Sequence, residues 1–538
     1  MQEDESTRNL WEGRALKLLK GKPLSSLTKL GLSGLTTNVV YADRPKQYAT
    51  SMRMAQSWNT LEMQGRVAGK FDTAAKWTEG VNPAFSRVYQ TDDPSEHTGR
   101  IEVVGESVSE LITRLKEQSN SVIHADPFAL KLLDGGECRG NSQIETVLDL
   151  LQGQDGDHPL TIDTATVFEL GGTAKEELLW ALLSLLQYAK RGIPWKSAWL
   201  HCSTDSNIMQ TVVKFRALRQ LMHGLASQLD MAVEYPYICA ETSIRMFSRA
   251  DEHNNMLRGL YASVGAVWGG VDGLVIHGYD ALSTASEHAH RIAQNMHAVL
   301  KEESGLDNWM DPLFGSYQVE SQTQELCAQV WTEFVSCSEE GLQGLIDNGF
   351  SQRIHQLRDA RQALLSTQKE GVTGVTAFAN PTERLGTEWV ESASKLFVRD
   401  VQQIETVRAQ FEARLPVSVQ IVCLGSAIDC KPRLEYLQQQ LATVGLTGEV
   451  VEHSQCDASA SLRCVVGTAA DYTVNLQETV RNLQDSGGSP VWVVGRLPKE
   501  LESALDFQCT PIYKGVHMLE RWGEVLQYID IDTAGGQP

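Results

Sequence analysis

The 538-residue chain has no run of about 18 apolar residues, so no transmembrane helix is expected. Its ten cysteines include no C-x-x-C pair, which argues against a disulfide framework or a zinc site, since tetrahedral zinc takes closely spaced ligand pairs. Positive charge is scarce. Lys and Arg number 47 against 68 Asp and Glu, a net charge of -21, which argues against nucleic acid or an anionic membrane as partner. No G-x-x-x-x-G-K-[ST] loop and no H-E-x-x-H pair occurs. Gly31-Leu-Ser33-Gly34 is one residue short of a nucleophile elbow, and no strand leads into it. The acidic start Met1-Gln-Glu-Asp-Glu-Ser6 lacks the basic flank and apolar run of a targeting peptide. Cys202, Cys239 and Cys423 lie in apolar, strand-like stretches, so the expectation is reduced, buried thiols in a cytoplasmic protein.

What is present is ordinary for a globular protein, with 42% hydrophobic and 21% charged residues, and the length implies two or three domains. Residues 1–55 read as an N-terminal arm, with Trp11, Ala15, Leu18 and Leu19 on one helical face and a stop at Gly21-Lys-Pro23. Over residues 56–350 short apolar strands alternate with helices. Strands are predicted around 121–125, 160–163, 197–202, 237–240 and 273–277. Helices are predicted over 176–188, 206–229, 254–267 and 284–302. So many βα units in one block favour a (β/α)8 TIM barrel. Residues 351–415 read as a helical connector, periodic from Arg353 to Leu365 and from Trp389 to Phe411. Residues 416–532 read as a second α/β domain. Its predicted strands are 417–424, 448–452, 463–467, 490–494 and 510–513, with helices 432–444, 473–486 and 498–505 between them. This suggests a flavodoxin-like, doubly wound sheet.

Two segments carry candidate chemistry. Glu241, Arg245 and Asp251 follow a strand and would stand at the carboxyl mouth of the barrel, where such folds place their sites. They could hold a substrate or pair among themselves and with Arg258; the ion network is the stronger reading. Lys214, Arg216 and Arg219 place basic residues on more than one face of a helix. His290 and His297 share a face of a predicted helix, which His288 does not; a solvated face is the expectation.

Taken in order, these pieces resemble the methylmalonyl-CoA mutase family. The series is Lys214-x-Arg216-Ala-x-Arg219, Glu241-Thr242-Ser243, Asp251, Asn255-x-x-Arg258, Gly269-Gly270-x-Asp272 and Glu302-Glu-Ser304. Asp311-Pro-x-x-Gly315-Ser-Tyr317-x-Val-Glu320 completes it, with Phe314-Gly315 where the family has two glycines. The likeness runs from about Trp11 to Tyr528. It implies a barrel that admits a coenzyme A ester and a following cobalamin-binding domain. The implied reaction is a radical shift between methylmalonyl-CoA and succinyl-CoA, for which adenosylcobalamin supplies the radical.

The family's working residues are missing at two places. Its tyrosine–histidine pair falls on Ala165 and Thr166, and neither side chain replaces the lost one. Its Asp-x-His-x-x-Gly turn falls on the stretch after Gly425. There the cobalt-ligating histidine becomes Asp429, or Cys430 with a shift of one; the first Asp becomes Ala427 and the closing glycine Pro432. Such a double loss resembles the small (beta) subunit of the heterodimeric bacterial enzyme. The resemblance implies a pseudoenzyme of propionate metabolism with no cofactor of its own. Its partner would be a homologous large subunit that carries adenosylcobalamin and is wrapped by the arm. Two other readings stay open: a catalytic acyl-CoA mutase with an atypical pocket, and a stand-alone binding or regulatory relative. Thr164, Thr166, Ser203 and Thr204 are small enough to line a coenzyme A channel, and Trp199, Trp268 or Phe168 could plug it.

Overall fold

In a computed structural model, the structure describes residues 11–20, 22–31 and 34–38, short pieces within 59–61, 100–102 and 122–149, and most of 160–533. Breaks in that last stretch fall at 233–234, 284–285, 310, 386–397, 453–454, 458, 498–500, 502–504 and 506–508. The predicted helix 498–505, and the part of the 389–411 helix before residue 398, lie largely outside the described residues. The chain forms two compact units. The first comprises residues 1–246, 255–358 and 389–398; the second comprises 247–254, 359–388 and 399–538.

In the first unit, residues 11–18 are helical and a hairpin pairs β1 (Lys29–Leu30) with β2 (Thr36–Thr37). The helix Tyr317–Cys337 holds this hairpin. Thr36 N–H donates to Glu325, and the amides of Gln322 and Gln329 donate to the Thr36 and Gly34 carbonyls. The main sheet is parallel. Its order is β3 (Asn59–Leu61), β9 (Gly273–Val275), β8 (Tyr237–Thr242), β7 (Ala198–Thr204), β6 (Leu160–Asp163), so its earliest strand pairs with its latest. A separate parallel pair joins β4 (Arg100–Glu102) to β5 (Val122–His124).

The helices of this unit follow from apolar spacing and good caps. They run α1 (Pro127–Leu133), α2 (Ala165–Glu169), α3 (Ala174–Lys190), α4 (Ile208–Gln228), α5 (Asn254–Gly269), α6 (Glu287–Ala298), α7 (Tyr317–Cys337), α8 (Gly341–Asp347) and the start of α9 (Phe350–Ser366), which from Asp359 on belongs to the second unit. Thr173 and Glu176 close a capping box at the start of α3, which is buried almost all round. Asn207 caps α4 by accepting from Gln210 N–H at 3.3 Å. Gly269 is where α5 meets α4: a Cβ there would lie 2.8 Å from Phe215 Cβ. The predicted helix 284–302 is α6 continued by one π-type stretch, Val299–Glu303. His297, expected on a solvated face, is buried, and burial pushes its pKa down to about 4.

The second unit is a five-stranded parallel sheet in the order β11 (Glu449–Val451), β10 (Val419–Cys423), β12 (Leu462–Val466), β13 (Val491–Val494), β14 (Thr510–Ile512). Its helices are α10 (Gln402–Glu412), α11 (Ala427–Thr443), α12 (Ala469–Ser486) and α13 (Met518–Thr533). Separate apolar clusters cover its two faces, one around Ile421, Leu437 and Trp522, the other around Val465, Tyr472 and Leu476. Helix α11 begins five residues before the predicted position because Ser426 caps it. Pro432 lies inside that helix and costs it one backbone hydrogen bond.

Candidate functional site

Parallel strands point their carboxyl ends the same way, and in the first unit those ends carry a buried polar cluster. Asp163 ends β6, His201 stands in β7, Glu241 in β8, and His277 lies just beyond β9. His201 Nδ1 is 3.2 Å from Asp163 Oδ1, and its Nε2 is 2.7 Å from Glu241 Oε2. His277 Nε2 meets the other Glu241 oxygen. The backbone N–H of His277 donates to the Thr242 hydroxyl at 2.9 Å. Both histidines and Glu241 are buried.

The positions where the family has its tyrosine and histidine start α2, beside this chain of groups. Ala165 and Thr166 are both buried, and the Thr166 hydroxyl donates to Asp163 Oδ2 at 2.7 Å. Thr166 therefore completes the cap of a short helix. Thr164, Ser203 and Thr204, offered by sequence as channel lining, are also buried. Their hydroxyls donate to the His201 carbonyl, Glu169 and the Ala262 carbonyl. Trp199 sits near the start of β7 in edge contact with Tyr237, 4.9 Å between ring centres. Trp268 packs on the main core. Phe168 is half-buried, with the Arg245 guanidinium 4.8 Å and Lys214 Nζ 5.3 Å from its ring centre.

Around this cluster lies a lattice of buried ion pairs. Lys214 bonds Glu177 at 2.6 Å and the Ser203 carbonyl. Arg216 bridges Asp311 and Glu320, the latter at 2.7 Å. Arg219 reaches the Gly270 carbonyl at 2.5 Å and Asp272 at 3.1 Å. Asp272 in turn accepts from Ile238 N–H at 3.0 Å. Ser243 N–H donates to the Thr204 carbonyl at 2.8 Å. Asn255 donates to the Tyr279 carbonyl and accepts from Arg258 at 2.7 Å. The three cations that a helical wheel leaves on different faces of α4 are thus each aimed at a different acidic group. Arg245 donates to the Phe168 and Gly172 carbonyls, and its N–H to Glu169 at 3.1 Å. Burial raises the Glu169 carboxyl to about 7, with the nearby Glu241 charge adding to the rise. Asp251 belongs to the second unit, where its N–H donates to Glu383 at 2.8 Å. Sequence reasoning missed His201 and His277. The available signal was a single histidine within one strand and just after another, each next to apolar residues.

In the second unit, the residues at the family's cobalt-ligand turn stand on the first turn of α11. Gly425 takes φ +90°, which a side chain would strain. Asp429 is exposed and accepts from the Ser426 hydroxyl at 2.6 Å, and Ser426 accepts from Asp429 N–H. The Cys430 side chain points inward: its thiol donates to the Leu424 carbonyl at 3.0 Å and approaches the Val466 carbonyl at 3.6 Å. Burial pushes that thiol above its ordinary pKa. Arg433 lies across the carboxyl ends of β12 and β13. It donates to the Gly467 carbonyl, its guanidinium is 4.9 Å from the Tyr472 ring centre, and a Cβ on Gly495 would touch it at 3.0 Å. The Tyr472 hydroxyl is 2.7 Å from the Val494 carbonyl and accepts from Gly467 N–H at 3.1 Å.

Residues 157–418 match the family model for methylmalonyl-CoA mutase. It is 26% identical over 409 residues to a probable methylmalonyl-CoA mutase small subunit of Mycobacterium tuberculosis (strain ATCC 25618 / H37Rv), covering 69% of this chain and 65% of that one. It is 26% identical over 367 residues to the methylmalonyl-CoA mutase small subunit of Streptomyces virginiae, covering 63% and 60%. The methylmalonyl-CoA mutase of Rhizobium meliloti (strain 1021) is 30% identical over 186 residues, 33% and 26%. The likeness to small subunits extends over the larger part of the chain, which spans 65% or less of the length of these relatives. No described helix is long and apolar enough to cross a membrane.

Proposed function

We propose that this chain is a noncatalytic small subunit of an adenosylcobalamin-dependent methylmalonyl-CoA mutase. In this reading it binds a homologous large subunit and stabilises it, while the large subunit interconverts methylmalonyl-CoA and succinyl-CoA. The first unit is then a (β/α)8 barrel; the pairing of β3 with β9, the earliest strand with the latest, supports closure. The second unit is then flavodoxin-like: its strand order, 2-1-3-4-5 in local numbering, is the doubly wound pattern that binds ligands at the carboxyl ends of its strands.

The observation that carries the proposal is the state of those carboxyl ends. A corrinoid would need a donor aimed outward from the turn after β10 and an open crevice at the switch point between β10 and β12. Asp429 instead accepts from the helix-capping Ser426 hydroxyl, Cys430 faces the core, and Arg433 with Tyr472 spans the neighbouring strand ends. These residues do not suit the cofactor, so no step is assigned to it in this chain. The second support is that Thr166 and Asp163 satisfy each other where the family's histidine would act.

The test is co-expression with a large mutase subunit, followed by cobalamin quantitation per chain. Expected are a stable complex with one cobalamin per pair and a large subunit less stable without this chain. Stoichiometric cobalamin on the isolated chain, or turnover by it alone, would sink the reading in favour of a catalytic mutase. Failure of any large subunit to co-purify would sink it in favour of a stand-alone relative.

A further inference from the structure

A carboxylate oxygen is an acceptor only, and a neutral imidazole has one donor nitrogen. At His201 both ring nitrogens face carboxylates: Nδ1 faces Asp163 at 3.2 Å and Nε2 faces Glu241 at 2.7 Å. Asp163 also receives the Thr166 N–H and hydroxyl, as an ionised carboxylate does. Glu241 takes a second imidazole, His277 Nε2, on its other oxygen. We propose that His201 is held doubly protonated between Asp163 and Glu241, forming a charged clasp that ties the carboxyl ends of β6, β7 and β8 to the segment after β9 and opens in alkali.

The neutral form would leave one ring nitrogen turned, unprotonated, against a carboxylate oxygen. Two acceptors in contact inside a protein repel, because little water is present to separate them. The imidazolium turns both contacts into charge-assisted hydrogen bonds. Among the described residues, the other charged groups packed around the cluster are Asp126 before α1, which accepts from Asp163 N–H at 2.9 Å, Glu169 on α2, Glu177 on α3, Lys214 on α4 and Arg245 after β8. Lys214 bonds Glu177, and Arg245 N–H bonds Glu169.

The clasp has a direction in pH. It exists while His201 keeps its Nδ1 proton, so its contribution is present at neutral pH and is lost as pH rises past the loss of that proton. Opening should begin at Asp163, the more exposed of the two carboxylates, and should loosen the start of α2, whose Thr166 is bonded to it.

The test is 15N NMR of the full-length chain labelled at histidine, alone and with its partner. The His201 signals are assigned by their loss in His201→Gln or, if that variant does not fold, by their displacement in Asp163→Asn. At about pH 8, where a free imidazole of pKa ~6.5 is neutral, both ring nitrogens of His201 should be protonated. Asp163→Asn should reduce His201 to a single ring proton at that pH. In the wild type, amide exchange over residues 160–170 should accelerate in alkali beyond the ordinary base-catalysed rise. A single ring proton on His201 at pH 8 in the folded wild type overturns the proposal. So does His201 retaining both protons in Asp163→Asn.

Discussion

Lys214→Met is the sharpest probe of the buried lattice. Lys214 and Glu177 have about one-twentieth or less of their side-chain surface exposed, and their ion pair spans 2.6 Å. Met keeps most of the length of the lysine stem. What is removed is the ammonium, which also reaches the Ser203 carbonyl. Glu177 is left with one neutral donor, the Ser203 N–H, because the Thr164 hydroxyl 3.3 Å away donates to the His201 carbonyl. Stranding one charge of a buried pair costs about 3–5 kcal/mol. Burial already raises the Glu177 carboxyl above its usual range with the lysine present. Without it the acid should protonate more readily, so the loss should be largest above neutral pH and shrink as pH falls. Glu177→Gln with Lys214→Met should restore about half, because the amide oxygen can still accept from Ser203 N–H. Two units can unfold separately, so a global melt is a poor assay. Reactivity of the Cys202 thiol, buried in β7, reports on the first unit as urea is raised. A loss below about 1 kcal/mol, or a double variant no better than the single one, would refute the claim that this pair is a structural charge site.

Three further outcomes are expected. Glu169 has its pKa raised from 4.5 to about 7, so its stabilising balance is full below about 4.5 and is lost as pH climbs through 7. Glu169→Gln should match wild type in acid and gain up to about 3 kcal/mol on it above pH 7, by urea titration across pH. Gly269→Ala drives a methyl against Phe215 and should cost about 1–3 kcal/mol in the same assay. Arg433→Ala should cost no more than about 1 kcal/mol, since a half-buried cation on an aromatic face contributes little. It should leave the chain without cobalamin by absorbance after dialysis; tight corrinoid uptake would show that Arg433 alone keeps the crevice shut.

The strands of the second unit were legible because they are continuous apolar runs bounded by Pro416, Pro490 and glycines, and such runs have one simple burial solution. Helix starts were less so. Ser426 and Asp429 form a Ser-x-x-Asp cap that the sequence displays, yet the expectation of a cofactor turn placed the helix at 432 rather than 427. His297 was assigned to solvent because its periodicity shows which face it shares, not what lies over that face.

The sequence by itself determined that this is an α/β protein, and which elements follow one another. It also determined which chemistry is missing, since no fold puts an imidazole on Ala165, Thr166 or Asp429. Only the tertiary structure decided what occupies the vacated places. The register that sets His201 beside Cys239 brings Glu241, two residues on, within reach of it, and no local pattern specifies that offset. Likewise Arg433 reaches Gly467 and Gly495 only because β10, β12 and β13 lie side by side with their carboxyl ends level. A pattern of apolar residues encodes burial along one element, whereas a polar contact between elements depends on strand order and register, which the whole fold sets at once.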